Sequence, residues 1–189
     1  MPTQLALFEQ QSASPSGLRY QPEFISRTEE HALIDATRKL PLAPFQFGAF
    51  EGKRRVASVG FRYDFSDHRL HESEPIPEFI REVLLRAESF AGVSPGSIEH
   101  VLFTEYDVGA GIGWHRDKAN FGIVLGLSLG AAAPLRFRRK SGKTFDRFTL
   151  EAEPRSLYLL SGVARSEWEH SIPPVQAIRW SITFRTMAK

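Results

Sequence analysis

HVLFTEYDVGAGIGWHRDKANFGIVLGLSLG, residues 100–130, is the stretch on which the reading of this chain turns. HVLFTEY (100–106) and GIVLGLSLG (122–130) are short apolar and β-branched runs bounded by turn residues, the pattern of strands. Between them GIGWHRDKANFG (111–122) places a histidine and an aspartate two apart, among glycines and charged residues. Side-chain direction has a period of two along a strand, so His115 and Asp117 would share one face. Such a pair suits two ligands of a metal ion, and it equally suits a polar surface.

Further strands follow toward the C-terminus: PLRFRR (134–139), DRFTL (146–150), RSLYLLSG (155–162), EHSIPP (169–174) and IRWSITFRT (178–186). Helices are predicted before them. SRTEEHALIDATRKL (26–40) opens on Ser26 with Glu29 three residues on, a capping box, and Pro41 stops it. PIPEFIREVLLRAESFAG (75–92) carries an apolar stripe of Phe79, Ile80, Val83, Leu84 and Ala87, with Gly92 past its end. FQFGAFEGKRRVASVGFRYDFS (45–66) alternates like a hairpin, with its turn expected at Gly52. Helices first and then about seven short strands predict an α+β domain with a β-sandwich or jelly-roll half. Residues 1–17 are expected as a flexible tail, and 18–189 as a single domain with a strand-rich region over about 98–187.

The length of 189 residues suits one domain. The chain has no cysteine, so disulfides, thiolate zinc sites and iron–sulfur clusters are excluded. Any metal must sit on His, Asp or Glu, which favours hard or borderline cations. No apolar run nears the roughly 20 residues of a membrane span. The first residues lack the basic and apolar regions of a secretory signal, so a cytoplasmic location is expected.

A third metal ligand should come from a distant strand, and His170 in SEWEHSIPP is the natural candidate. Two histidines and a carboxylate form the facial triad of non-haem Fe(II) oxygenases, with the opposite positions open. Zinc would accept the same ligands, usually as a tetrahedron with one water. The final strand adds a second signal. Arg179, Ser181, Thr183 and Arg185 alternate with Trp180, Ile182 and Phe184, so one face is dicationic and the other is core. Two guanidinium groups on one face suit a dicarboxylate, which arginine binds bidentately.

Taken in order, Tyr106 in FTEYDVGAGIGWHRDK, His115-x-Asp117, LSLG (127–130), SGVARSEWEH ending at His170, and RWSITFR (179–185) resemble the AlkB-like family of Fe(II)/2-oxoglutarate-dependent dioxygenases. The resemblance implies a double-stranded β-helix (jelly-roll) core, N-terminal helices packed on one sheet, and a β-hairpin substrate lid over about 45–66. It implies Fe(II) and O2, with 2-oxoglutarate as co-substrate. His115, Asp117 and His170 would ligate the iron. Arg179 would clamp the distal carboxylate of 2-oxoglutarate with the help of Tyr106, and Arg185 would lie near the end that chelates iron. Ser181 and Thr104 stand where asparagines are common in the family, and both keep a hydrogen-bonding group. The reaction implied is oxidative decarboxylation to succinate and CO2, coupled to hydroxylation of an N-alkyl carbon whose hemiaminal then releases an aldehyde.

The resemblance further implies alkylated DNA or RNA as partner, in alkylation damage repair, with the base flipped into the pocket. Charge placement agrees: Lys53, Arg54 and Arg55 cluster on the lid hairpin, and Arg136, Arg138, Arg139, Lys140, Lys143 and Arg147 on a later one. Phe61, Tyr63 and Phe65 alternate along the lid, where one could stack on a base. These aromatics could equally be core, and the charges a solvated edge. Nucleic-acid repair members carry an acid shortly after the metal-binding aspartate; this chain has Lys118, Ala119 and Asn120. Asn120 could read a base edge, and a protein side chain or a small N-methylated metabolite stays open as the substrate. A monomer is expected, with no obligate protein partner.

Overall fold

The computed structural model describes residues 13–47, 50–64 and 69–189. β1 (Leu18–Gln21) leads into α1 (Arg27–Arg38). The capping box forms as predicted: the Glu29 backbone N–H donates to Ser26 Oγ at 3.2 Å, and the Ser26 N–H donates to Glu29 Oε2 at 2.7 Å. Two N–H groups that lack intrahelical partners are thereby satisfied. β2 (Ala43–Phe47), β3 (Phe50–Val59), β4 (Phe61–Asp64) and β5 (Arg69–Glu72) come next. A 3-10 turn (Glu78–Ile80) then opens α2 (Arg81–Ala91), which Gly92 closes in the left-handed region at φ 74°.

The rest is mostly strand: β6 (Ile98–Tyr106), β7 (Ile112–His115), β8 (Phe121–Leu129), β9 (Ala133–Ser141), β10 (Thr144–Ala152) and β11 (Leu157–Leu160). A short α3 (Gly162–Ser166) precedes β12 (Glu169–Ile172) and β13 (Arg179–Met187). Seven strands make one sheet in the order β1-β11-β8-β13-β6-β3-β2; four make a second, β10-β9-β12-β7; β4 and β5 pair by themselves. The two larger sheets form a jelly roll, all of whose described pairings are antiparallel.

The strand period distributes two cores. On one face of the seven-stranded sheet Phe103, Leu125, Leu127, Ile182 and Phe184 pack with Leu33, Ile80, Val83 and Leu84 of the helical segments. On the other face Tyr106, Val124, Tyr158 and Leu160 meet Leu135, Phe137 and Ile172 of the smaller sheet. Burying one such aliphatic or aromatic side chain contributes about 1.5–3 kcal/mol. The helices therefore brace the larger sheet from outside, and its inner face looks into the space between the sheets. That space holds the polar residues discussed below.

Four expectations change. Gly52 lies within β3 and not at a turn. The stretch expected as one lid hairpin is divided: β3 joins the large sheet through pairs from Arg55↔Glu105 to Val59↔Val101, while β4 and β5 form the separate ribbon. β7 ends at His115, so Asp117 stands in the following loop and strand alternation does not place it. The boundary of the tail also moves. Pro15 is buried, and the N–H groups of Ala164 and Ser161 donate to the carbonyls of Ser16 and Gly17 at 2.8 and 3.0 Å. Residues 1–12 lie outside the described residues.

Candidate metal centre and co-substrate pocket

His115 and His170 face each other across the β7–β12 pairing, with ring centroids 4.3 Å apart. Asp117 joins them from the loop. Its Oδ2 lies 3.5 Å from His170 Nε2, while Arg185 donates to its Oδ1 from Nε at 2.8 Å and approaches with Nη2 at 2.7 Å. One ligand atom from each of the three residues lies within 4.8 Å of the others. His115 Nδ1 sits 2.9 Å from the Gly113 carbonyl. A carbonyl only accepts, so Nδ1 carries the hydrogen and Nε2 keeps the lone pair a metal needs.

The local charges prepare the same state. Burial pushes the Asp117 carboxyl upward, but Arg185 and the two imidazoles outweigh it and hold the group well below the usual carboxylate range. Burial lowers His115. His170 falls to about 4, through burial first and the neighbouring His115 second. Near neutral pH the centre thus offers two neutral imidazoles and one carboxylate, the deprotonated donor set that a divalent cation requires.

Beside it lies a second polar feature. Arg179 is only 1% exposed. Its Nη2 donates to Ser128 Oγ at 3.1 Å, but Nε and Nη1 have no hydrogen-bond partner among the described residues. Its Cζ stands 5.0 Å from the centre of the Tyr106 ring. A buried guanidinium with two idle donors is costly, and a carboxylate meeting both would offset that cost. Register places the other expected residues alongside: Arg179 opposes Tyr106 and Ser181 opposes Thr104 across β13 and β6. Arg185 sits further along the same face of β13, at the metal end. The arrangement fits a short diacid that reaches from the metal to Arg179.

The expected substrate residues scatter more. Arg54 is half-buried, stacks on Phe45 at 3.9 Å and lies near enough to His115 to disfavour its protonation. Arg55, one residue on, points to the opposite face and donates to Glu105 at 2.8 Å, so it does not enter the pocket. Tyr63 lies on β4 opposite Leu70. Phe65 lies outside the described residues. Lys118 and Asn120 are exposed on the loop after Asp117. The basic hairpin β9–β10 turns its charge outward: Arg136 and Arg138 lie 5.2 and 4.5 Å from the Trp114 ring, and Arg138 and Arg147 flank Phe145 at 4.9 and 5.7 Å.

Sequence reasoning missed three residues here. Arg165 of α3 donates to the carbonyls of Lys118, Phe121 and Gly122 at 2.7, 2.8 and 3.0 Å, which fixes the loop that carries Asp117. His100 is 3% exposed, with Nδ1 3.3 Å from Arg185 Nη1, and is thus wedged behind the arginine that grips Asp117. Tyr158 projects into the space between the sheets. None carries a local signal, because each acts on a partner at least 30 residues away or on another strand.

Residues 17–185 match the 2OG-Fe(II) oxygenase superfamily. The chain belongs to that family. Its chemistry accordingly uses Fe(II), 2-oxoglutarate and O2, and the chain is a 2-oxoglutarate-dependent dioxygenase. It is 29% identical over 184 residues to the Alkylated DNA repair protein ALKBH8 homolog of Arabidopsis thaliana, covering 83% of this chain and 51% of that protein. It is 27% identical over 168 residues to the tRNA (carboxymethyluridine(34)-5-O)-methyltransferase ALKBH8 of Mus musculus, covering 86% of this chain and 25% of that protein. The chain therefore spans about half the length of the first relative and a quarter of the second. In three dimensions it is similar to OsALKBH1, with a TM-score of 0.69 at 16% identity over 93% of this chain and 99% of that one. A Pseudomonas putida prolyl-4-hydroxylase also superposes, with a TM-score of 0.64 at 15% identity over 91% of this chain and 93% of that one. At those identities the two structures speak for the fold.

Proposed function

We propose that this dioxygenase oxidatively removes alkyl groups from N-alkylated bases of DNA or RNA, in alkylation damage repair. The observation that carries the reading is the run of cationic and aromatic side chains near the metal centre. Arg54 stacks on Phe45 beside His115, and Lys118 follows Asp117. On the opposite face of β7 from His115, Trp114 carries the arginines of β9 on its ring, and Arg138 is also paired with Glu169 at 2.7 Å. Guanidinium groups suit phosphates, and aromatic faces suit bases. The printed names of the Arabidopsis and mouse relatives, a DNA repair protein and a tRNA-modifying enzyme, agree with a nucleic-acid substrate.

On this reading His115, Asp117 and His170 hold the iron, which supplies the O2-dependent oxidation when 2-oxoglutarate is bound. The protein positions the groups around it. Arg185 fixes one oxygen of Asp117 and so leaves the other for the metal. Arg179, Tyr106, Ser181 and Thr104 seat the co-substrate. The two sheets exclude water from it. Arg54, Lys118 and Asn120 face the incoming base, and Arg165 keeps their loop in place. Tyr63 belongs to the ribbon proposed as the lid, and Arg55 serves the sheet through Glu105.

A second reading, oxidation of a protein side chain or of a small N-methylated metabolite, rests on one feature. The loop after Asp117 offers a lysine, an alanine and an asparagine, none of which can neutralise a cationic base. The two are separated by measuring succinate and formaldehyde with Fe(II), 2-oxoglutarate and ascorbate while methylated single-stranded DNA, duplex DNA and RNA are offered in turn. Stoichiometric formaldehyde from one of them supports nucleic-acid dealkylation. Basal succinate alone with all of them rejects it.

A further inference from the structure

The short helix α3 is tied on one side to a stretch that reads in the sequence as tail, and on the other to the metal centre. Residues 15–17 run past it. The Ala164 N–H donates to the Ser16 carbonyl at 2.8 Å, and the Ser161 N–H to the Gly17 carbonyl at 3.0 Å. Ser161 Oγ donates to the same Gly17 carbonyl at 3.1 Å. Pro15 is buried, and its carbonyl accepts from the Leu18 N–H at 2.9 Å, where β1 begins. Gly17 is required at its position. Its φ is 92°, and a Cβ there would fall onto the Ser161 carbonyl oxygen, so neither the backbone nor the space admits a side chain.

On the other side α3 is bonded to the segment that carries two of the metal ligands. Arg165 donates to the carbonyls of Lys118, Phe121 and Gly122 at 2.7, 2.8 and 3.0 Å. In the reverse direction Arg116, which stands between His115 and Asp117, donates from Nη1 to the Ser166 carbonyl at 3.0 Å. That carbonyl lies at the helix end, where the last carbonyls have no partner within the helix. The chain then leaves α3 through Trp168, which is 3% exposed, and reaches His170 in β12. With five residues, α3 is far below the roughly 12–15 at which an isolated helix is even marginally stable, so its place is set by what it is bonded to. Asp117 has the same dependence, because β7 ends at His115 and no strand ladder holds it.

We propose that residues 15–17 are a remote positioning element for the metal centre, with Gly17 as the residue on which it turns. They fix α3, and α3 fixes the backbone under Asp117, chiefly through Arg165. The inference concerns how the metal ligands are held and is independent of which substrate is oxidised. Gly17 is a positioning residue and touches neither metal nor substrate.

The test is Mn(II) binding to the full chain, followed by EPR without co-substrate. It is paired with hydrogen exchange on the metal-free protein at the Phe121 N–H, which donates to the Lys118 carbonyl at 3.0 Å and closes the Asp117 loop. Gly17→Ala pushes the segment off α3. It should bind Mn(II) about tenfold more weakly, the lower end of the range for losing a partner that orients a metal ligand. Exchange at Phe121 should quicken at least fivefold. Leu33→Ala empties a buried site on the helical face of the large sheet and serves as the control for general loss of stability. It should lower Tm and leave Mn(II) affinity unchanged; an equal loss of affinity in both variants overturns the proposal. Arg165→Met should itself weaken Mn(II), and adding Gly17→Ala to it should cost no more than about twofold further. Two fully multiplicative effects would mean that Gly17 does not act through α3, and unchanged Mn(II) affinity in a folded Gly17→Ala protein also overturns the proposal. Should Gly17→Ala not fold, Ser161→Ala deletes only the hydroxyl bond to the Gly17 carbonyl and should weaken Mn(II) about threefold; no change there overturns it instead.

Discussion

Replacing Arg179 with methionine should make the protein more stable and useless at once. Arg179 is 1% exposed and, among the described residues, hydrogen-bonds Ser128 alone, with Nε and Nη1 idle. A charge taken out of water without full pairing costs several kcal/mol, and exchanging buried ionic groups for packed apolar ones of similar volume is often stabilising by about 1–4 kcal/mol. Methionine fills most of the arginine stem and leaves Ser128 with its contact to the Ala152 carbonyl at 3.3 Å. For a chain of this size each kcal/mol moves Tm by about 2–4 °C, so Arg179→Met should melt several degrees above wild type without co-substrate. Adding 2-oxoglutarate at 100 times its Kd should raise wild type by about 2.7 kcal/mol. The variant has lost a bidentate, charge-assisted partner and should bind at least a hundredfold more weakly, so the same addition should stabilise it by no more than about 0.4 kcal/mol. Differential scanning calorimetry of both proteins, loaded with Mn(II), with and without 2-oxoglutarate, reads all four states. A variant that melts below wild type in the absence of 2-oxoglutarate would refute the claim that Arg179 is an unpaired charge awaiting its ligand. A variant that keeps the 2-oxoglutarate shift would refute its role in binding.

Asp117→Asn keeps the shape of the side chain but removes the charge that Arg185 and the metal share, so Mn(II) affinity followed by EPR should fall at least tenfold. His100 is neutral in the fold, with its pKa depressed by burial to about 3. The unfolded chain therefore binds the extra proton between about 3 and 6.5, and stability should fall as pH drops through that window, by up to about 5 kcal/mol. His100→Phe should flatten that part of the urea-derived stability profile; an unchanged slope would reject the assignment. Arg54→Glu should raise turnover of cationic bases such as 1-methyladenine relative to neutral 3-methyluracil at least tenfold, since it reverses a charge beside His115. Equal ratios in both proteins, measured by formaldehyde release from matched oligonucleotides, would remove Arg54 from base selection. Arg165→Met frees the Lys118, Phe121 and Gly122 carbonyls and should raise KM for the alkylated strand more than KM for 2-oxoglutarate.

Much of this protein was legible along the chain because much of it is governed by local periods. The capping box at Ser26 and Glu29, the Val83, Leu84 and Ala87 part of the stripe and the alternation of RWSITFR each depend on residues a few positions apart, and each formed as read, while Phe79 stays 38% exposed in the 3-10 turn before α2. The clustering of His115, Asp117 and His170 was legible for a different reason: histidine and aspartate in that order, with two arginines after the second histidine, form a pattern that few other chemistries need. Three decisions belonged to the tertiary structure alone. Asp117 is aimed by Arg185, 68 residues away, and not by the strand that ends at His115. Arg54 and Arg55 look alike in GKRRVAS, yet only pairing of β3 with β6 sends one toward the pocket and the other to Glu105. Tyr158 lies across Gly126 only because β11 pairs with β8. Local propensity sets which face a side chain takes, but what stands on that face is set by strands brought together from across the chain, and no short window of sequence contains both partners.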